Sequence, residues 1–234
     1  MFEHILACLD GSPIAERILP LVRSIRPPKG GRLTLLRIVS NTTELGAEEI
    51  SIRECARQYD ARLRFIISLD PAAAILIELD RDPHAIAALT THGRAAWAEV
   101  ILGSVALRVI RDLKRPVIVF RPPKEASESP ARIATVVLAL DGSPLSESMV
   151  RHAVKATQAL SARLLLLQAL RFHIPTAASD PSSESDVIES SFLHRKATEI
   201  DATYGAKAQW EVLHGEPADA ICRFVSNSRD SCWQ

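Results

Sequence analysis

An α/β chain built on a parallel sheet, with a second and incomplete copy following the first, is the fold class this sequence predicts. Three observations carry it. Short apolar runs alternate with helix-forming stretches, and most of the runs are apolar on both faces, as strands covered by helices above and below must be. The segment Ile5-Leu6-Ala7-Cys8-Leu9-Asp10-Gly11-Ser12-Pro13 returns as Val137-Leu138-Ala139-Leu140-Asp141-Gly142-Ser143-Pro144, each time an apolar strand delivering an aspartate into a tight turn. Only the first copy continues to a pair of glycine turns, Thr91-His92-Gly93 and Gly103-Ser104.

In the first copy, residues 4–9 read as a strand, and Ser12-Pro13 as a helix start: a hydroxyl cap followed by a residue whose fixed φ suits the first turn. Ile14, Ile18, Leu21, Val22 and Ile25 recur at helical spacing, with a kink expected at Pro20. Pro27-Pro28-Lys29-Gly30-Gly31 ends that helix. Strands are then expected over 33–39, 63–69, 85–89 and 116–120, and helices over 45–60, 72–79 and 104–114. Residues 122–131 are rich in Pro, Ser and Glu with little to bury, and so divide a first domain, 1–121, from a second, 132–234.

The second domain opens with a strand over 133–140, a helix with Leu145, Met149, Ala153, Ala156 and Leu160 on one face, and a strand over 164–170. Gly215-Glu216-Pro217-Ala218 parallels Leu69-Asp70-Pro71-Ala72. Asp10 to Asp141 is an offset of 131, whereas Pro71 to Pro217 is one of 146, so the second copy gains 15 residues, placed at 175–186 as a surface loop. On that offset a fourth strand would start near residue 231, and the second copy is expected to lack its fourth and fifth strands by Gln234.

Composition narrows the function classes. Lys plus Arg and Asp plus Glu both total 28 in 234 residues, so no global charge favours nucleic acid or an anionic membrane. Glu3, His4 and Asp10 interrupt or flank the first apolar run, which argues against a secretory signal, and no stretch reaches membrane-spanning length; a cytoplasmic protein is expected. Cys8, Cys55, Cys222 and Cys232 form no Cys-x-x-Cys pair and have no His at ligand spacing. They are expected to be reduced thiols, Cys8 and Cys222 within cores, and no metal site is expected.

In a doubly wound sheet, ligands bind beyond the carboxyl ends of the strands, so Asp10 is placed to accept hydrogen bonds from a ribose or to hold a metal ion. Glycines at 93 and 103 permit positive φ and close approach to a ligand, and the helix opening at Ser104 offers free amides to anionic oxygens. Asp141 stands in the place of Asp10 but has no such turns after it. His92 reads as a turn-supporting residue, Arg94 as a phosphate contact or a solvated loop residue. Glu48, Glu49, Arg53, Glu54 and Arg57 read as a salt-bridged outer helix face. Neither a Gly-x-Ser-x-Gly elbow nor a Walker pattern is present, so no catalytic residue is assigned.

These segments resemble the universal stress protein family. The residues that carry the likeness are Ile5 to Pro13, Leu35-Leu36-Arg37-Ile38-Val39, Asp70-Pro71-Ala72, Thr91-His92-Gly93-Arg94, Leu102-Gly103-Ser104-Val105 and Arg115-Pro116-Val117-Ile118-Val119. The resemblance implies a sheet of order 3-2-1-4-5 and a cytosolic stress-response role. It further implies ATP or another adenine nucleotide in the first domain, with Mg2+ as an open companion. By position, Asp10 would contact the ribose, Ile38 would offer backbone atoms to the base and Leu89 would line its pocket. Gly93, Gly103, Ser104 and Val105 would surround the phosphates. Thr90 stands where the ATP-binding branch has glycine, so its side chain would crowd the ribose and first phosphate or add a hydrogen bond. The family's fifth-strand pairing implies a homodimer through Val117–Phe120. Two alternatives stay open: a nucleotide-free protein acting through protein contacts, and an adenylyl-transferring or ATP-hydrolysing enzyme.

Overall fold

The computed structural model describes residues 3–27, 30–91, 103–122, 133–171 and 182–230. The chain divides into two compact units, Met1–Ala131 and Arg132–Gln234. In the first, chain order is β1 (His4–Leu9), α1 (Pro13–Glu16), α2 (Leu19–Ile25), β2 (Arg32–Val39), α3 (Thr42–Gln58), β3 (Arg62–Ile67), α4 (Pro71–Asp80), β4 (Ala85–Thr90), α5 (Ser104–Asp112) and β5 (Val117–Phe120). The strands form one parallel sheet in the order β3-β2-β1-β4-β5, as the resemblance implies.

Strand alternation divides the core into two layers. Leu6, Leu36, Ile38, Ala87 and Leu89 face α4 and α5, meeting Ala72, Ile75, Leu79, Ala106 and Val109. Their alternates Ile5, Ala7, Leu9, Leu33 and Leu35 are also fully buried, on the face where α2 and α3 supply Leu19, Val22, Ile52 and Ala56. Burial on both faces explains why these strands read as continuous apolar runs.

The second unit contains β6 (Thr135–Ala139), α6 (Pro144–Ser148), α7 (Val150–Leu160), β7 (Arg163–Leu170), α8 (Ser182–Tyr204), β8 (Ala208–His214) and α9 (Pro217–Asp230). Its sheet has the order β6-β7-β8, all parallel, repeating the β1-β2-β3 half of the first. Among the described residues β6 pairs on one side only, whereas β1 is flanked by β2 and β4. Val137 is accordingly 36% exposed, while Leu6, its counterpart, is 2% exposed.

Four expectations are corrected. Pro20 does not kink one helix; the chain breaks at Arg17-Ile18, and Pro20 lies in the first turn of α2, where its missing N–H is harmless. The same break at Met149 rephases the equivalent helix, so Val150, Ala153, Val154 and Thr157 are buried and Leu145 is 77% exposed. Residues 182–186 belong to α8 rather than to a loop, while 172–181 lie outside the described residues. Cys222 is exposed, because the buried position on α9 is Ala220, two residues and about 200° earlier around the helix.

Cys8 is different: burial pushes its thiol up to about 12, and its Sγ lies 3.7 Å from the Leu6 carbonyl oxygen. Iodoacetamide at pH 8, mapped by peptide, is expected to modify Cys222 and leave Cys8 intact until the first unit unfolds. Comparable labelling of Cys8 in the native protein would contradict this burial.

Candidate nucleotide site

β1 ends at Leu9 and hands Asp10 to a turn whose sharpness depends on Gly11 at φ 80°. Asp10 Oδ1 accepts from the Ser12 amide at 2.9 Å and the Ser12 hydroxyl at 2.6 Å, and Ser12 Oγ in turn accepts from the Ala15 amide at 3.2 Å to cap α1. The aspartate is therefore held in direction by its own turn while remaining half-buried at the carboxyl edge of the sheet. Asp141 repeats the turn, accepting from the Ser143 amide at 2.9 Å after Gly142 at φ 77°. The Ser143 and Ser146 hydroxyls, with the Ser143 amide, pull its carboxyl down to about 2. It is exposed.

Ile38, one residue before the end of β2, has its backbone aimed by the ladder. The Arg32 amide donates to Glu3 of the β1 side, while Val39 accepts from the Ser68 amide of the β3 side. Alternation then directs the Ile38 carbonyl toward β1, past the last β1–β2 pair, Leu9 with Arg37. That carbonyl accepts from the Arg37 guanidinium, which is itself buried at 5% exposure.

Leu89 is buried in β4 with Val119 beside it, and Thr90, half-buried, closes the strand opposite Phe120. Thr91 then ties three elements: its amide donates to Phe120 at 2.9 Å and its carbonyl accepts from the Gly103 amide at 3.0 Å, fixing the start of α5 beside the end of β4. Gly103 caps α5 with no side-chain hydrogen bond, Ser104 is exposed, and Val105 packs against the core. Gly103 has φ −57°, so the positive φ anticipated there is not adopted; a Cβ at this position would make only an ordinary contact with the Thr91 carbonyl oxygen, at 3.8 Å. Gly93, with His92 and Arg94, lies outside the described residues.

Asp10, Ile38, Leu89, Thr90, Gly103, Ser104 and Val105 thus meet along one edge, where strands end and α5 begins. Two cavities of about 390 and 380 Å³ open elsewhere, along β3 and α4. Neither is lined by these residues.

Two features escaped the sequence reading. Arg37 is a charge set within an apolar run. At the opposite, amino end of the sheet His4 Nδ1 donates to Asp82 Oδ2 at 2.8 Å and its Nε2 accepts from Thr34 Oγ1 at 2.8 Å, while Arg32 reaches the same Asp82 oxygen at 2.5 Å. A histidine at the head of an otherwise apolar strand was the one sequence signal for this cluster.

The sheet order, with the chain diverging to β2 on one side of β1 and to β4 on the other, defines a doubly wound α/β fold. The family model of the universal stress protein family matches residues 133–229, within the second unit. A universal stress protein from Archaeoglobus fulgidus DSM 4304 is 15% identical, covering 98% of this chain and 85% of that one, with a TM-score of 0.69. A universal stress protein from Pseudomonas aeruginosa UCBPP-PA14 is 18% identical over 98% of this chain and 80% of that one, with a TM-score of 0.65. These likenesses establish the fold across both units. No curated protein matches. Among the described residues no helix is long and apolar enough to cross a membrane, and no group of His, Cys, Asp and Glu could hold a metal.

Proposed function

We propose that the first unit binds ATP or another adenine nucleotide and that the chain is a tandem universal stress protein acting as a regulatory binding module in the cytoplasm. One observation carries this reading: the oriented Asp10, the inward Ile38 carbonyl and the uncapped start of α5 share one edge of the sheet. In it Asp10 receives the ribose, Ile38 and Leu89 the base, and Gly93, Gly103, Ser104 and Val105 the phosphates, whose charge the amides of α5 attract. The second unit repeats the aspartate turn without an equivalent phosphate turn, so one site per chain is expected. The apolar edge strand β5, with Val119 at 38% exposure, is the proposed homodimer contact.

Calorimetry with ATP and mass spectrometry of what co-purifies with the protein test the reading. A stoichiometry of one per chain is expected; two, or none, would overturn it. Thr90 is the observation that favours a nucleotide-free protein. If its Cβ crowds the ribose, Thr90→Gly tightens ATP by roughly 1 kcal/mol, about fivefold. Unchanged or weaker affinity would mean that threonine fits or helps.

A further inference from the structure

Among the described residues β3 pairs with β2 alone, so its other side is an open edge of the first sheet. The Ser68 amide donates to Val39 of β2. By alternation Arg62, Arg64 and Ile66 turn their backbone groups to β2, while Leu63, Phe65 and Ile67 turn theirs outward, where an added strand would meet them. The side chains alternate too. Arg64 reaches Glu78 of α4 at 3.1 Å and Ile66 packs in the α4 layer, so Arg62, Arg64 and Ile66 share the face toward α4. Both cavities open on that face: the one of about 380 Å³ beside Arg62, the one of about 390 Å³ beside Ile67 and Ile77, with Arg64, Glu78 and Arg81 in the wall of each. The resulting groove is charged at one end and apolar at the other. Glu78 is shared by Arg64 and by Arg81, at 2.8 Å, and Asp82 is matched by Arg32. Arg62 is exposed and makes no hydrogen bond or ion pair among the described residues. Arg62, Arg64 and Arg81 thus face one carboxylate, which leaves an excess of positive charge. At the other end Ile67 and Ile77 are 54% and 58% exposed.

We propose that the β3 edge docks an acidic segment of a partner protein, added to the sheet as an extended strand. On the α4 face that strand sets two acidic side chains, two residues apart, beside Arg62 and Arg64, and an apolar one beside Ile66 and against Ile77. Backbone pairing with Leu63, Phe65 and Ile67 supplies affinity, and the alternate side chains supply selectivity. The arginines also select against a second copy of this chain. An antiparallel β3 with its faces aligned would crowd Arg62 and Arg64 of both copies onto one face, where like charges repel. The inference is independent of the nucleotide reading, because none of these residues belongs to the carboxyl-edge site.

The test is fluorescence anisotropy of the full chain with a labelled peptide, Thr-Glu-Thr-Glu-Thr-Val-Thr, its reverse sequence, and versions with Lys in place of Glu. One of the two acidic orders is expected to bind saturably and about tenfold more tightly than its lysine version. The double variant Arg62→Gln with Arg64→Gln is expected to weaken that binding about tenfold, the scale of two exposed charge pairs. Ile67→Pro removes one outward N–H at an edge position where proline is tolerated, and is expected to weaken it about fivefold, the scale of one hydrogen bond. Where that variant loses its circular-dichroism signature, peptides N-methylated at alternate positions serve instead, and one of the two methylated sets is expected to lose binding. Equal binding of acidic and lysine peptides, binding of neither order, or affinity unmoved by both Ile67→Pro and N-methylation overturns the proposal. Sedimentation showing a dimer that Ile67→Pro dissociates, with no peptide bound, overturns it in favour of a second copy at this edge.

Discussion

Gly103→Asp is expected to weaken ATP binding about 100-fold while leaving the first unit at least as stable as before. The glycine caps α5 at φ −57° and ψ 149°, a conformation open to any residue, and a Cβ there would meet only the Thr91 carbonyl oxygen, at 3.8 Å. Aspartate is a favoured helix cap, so its carboxylate would accept from the first-turn amides that Gly103 leaves without a side-chain partner. The same carboxylate would take the place proposed for phosphate oxygens. Like charges about 4 Å apart near a protein surface repel by a few kcal/mol, enough for the expected loss. Calorimetry and a urea transition on the same variant separate the two effects. Unchanged ATP affinity would remove the phosphates from α5; a large loss of stability would show that Gly103 serves the fold in another way.

Asp82→Asn is expected to destabilise the first unit by about 2–3 kcal/mol at pH 7, the scale of removing one partner from a largely buried charged network. Asp82 Oδ2 accepts from His4 and Arg32, Oδ1 accepts from the His84 amide at 3.0 Å, and its backbone carbonyl accepts from Arg115 at 3.0 Å. The carboxyl is only 21% exposed and His4 13%. Burial works to raise the Asp82 pKa, yet the hydrogen bonds from His4 and His84 and the charge of Arg32 outweigh it and the net direction is down. A carboxyl lowered on folding contributes stability above its unfolded value, near 4, and loses it as pH falls through the folded value. The wild-type advantage over Asp82→Asn is therefore expected at pH 7 and to shrink in acid below about pH 4. Equal urea midpoints at pH 7 would contradict the network's role.

Particular residues show what was legible from sequence. Ser12-Pro13, Asp70-Pro71 and Ser143-Pro144 announced their helices because capping is local: each side chain accepts from an amide three residues on. The strands were legible because burial on both faces leaves apolar runs. Helix faces were less so, since the breaks at Arg17-Ile18 and Met149 shift the phase and no local signal fixes the amount. Of the Asp82 cluster only His4, a polar residue heading an apolar strand, was a signal; its partner was not legible, because His4 and Asp82 are 78 residues apart and the β1–β4 pairing makes them neighbours. At the carboxyl edge, Asp10 and Gly103 were found as residue types in a pattern, whereas the occupation of Ile38 by Arg37 depends on which way a strand carbonyl turns.

The sheet orders also bear on how quickly each half is assembled. In the first unit the central strand β1 must wait for β4, joined by the pair His4 with Ala85, before its second edge closes. Among the described residues of the second unit every ladder joins strands consecutive in the chain, β6 with β7 and β7 with β8. Closing a long loop costs entropy before any contact repays it, and lower contact order goes with faster folding. β6, β7 and β8 thus have the more local topology, and these three strands should find one another sooner than the five strands of the first unit.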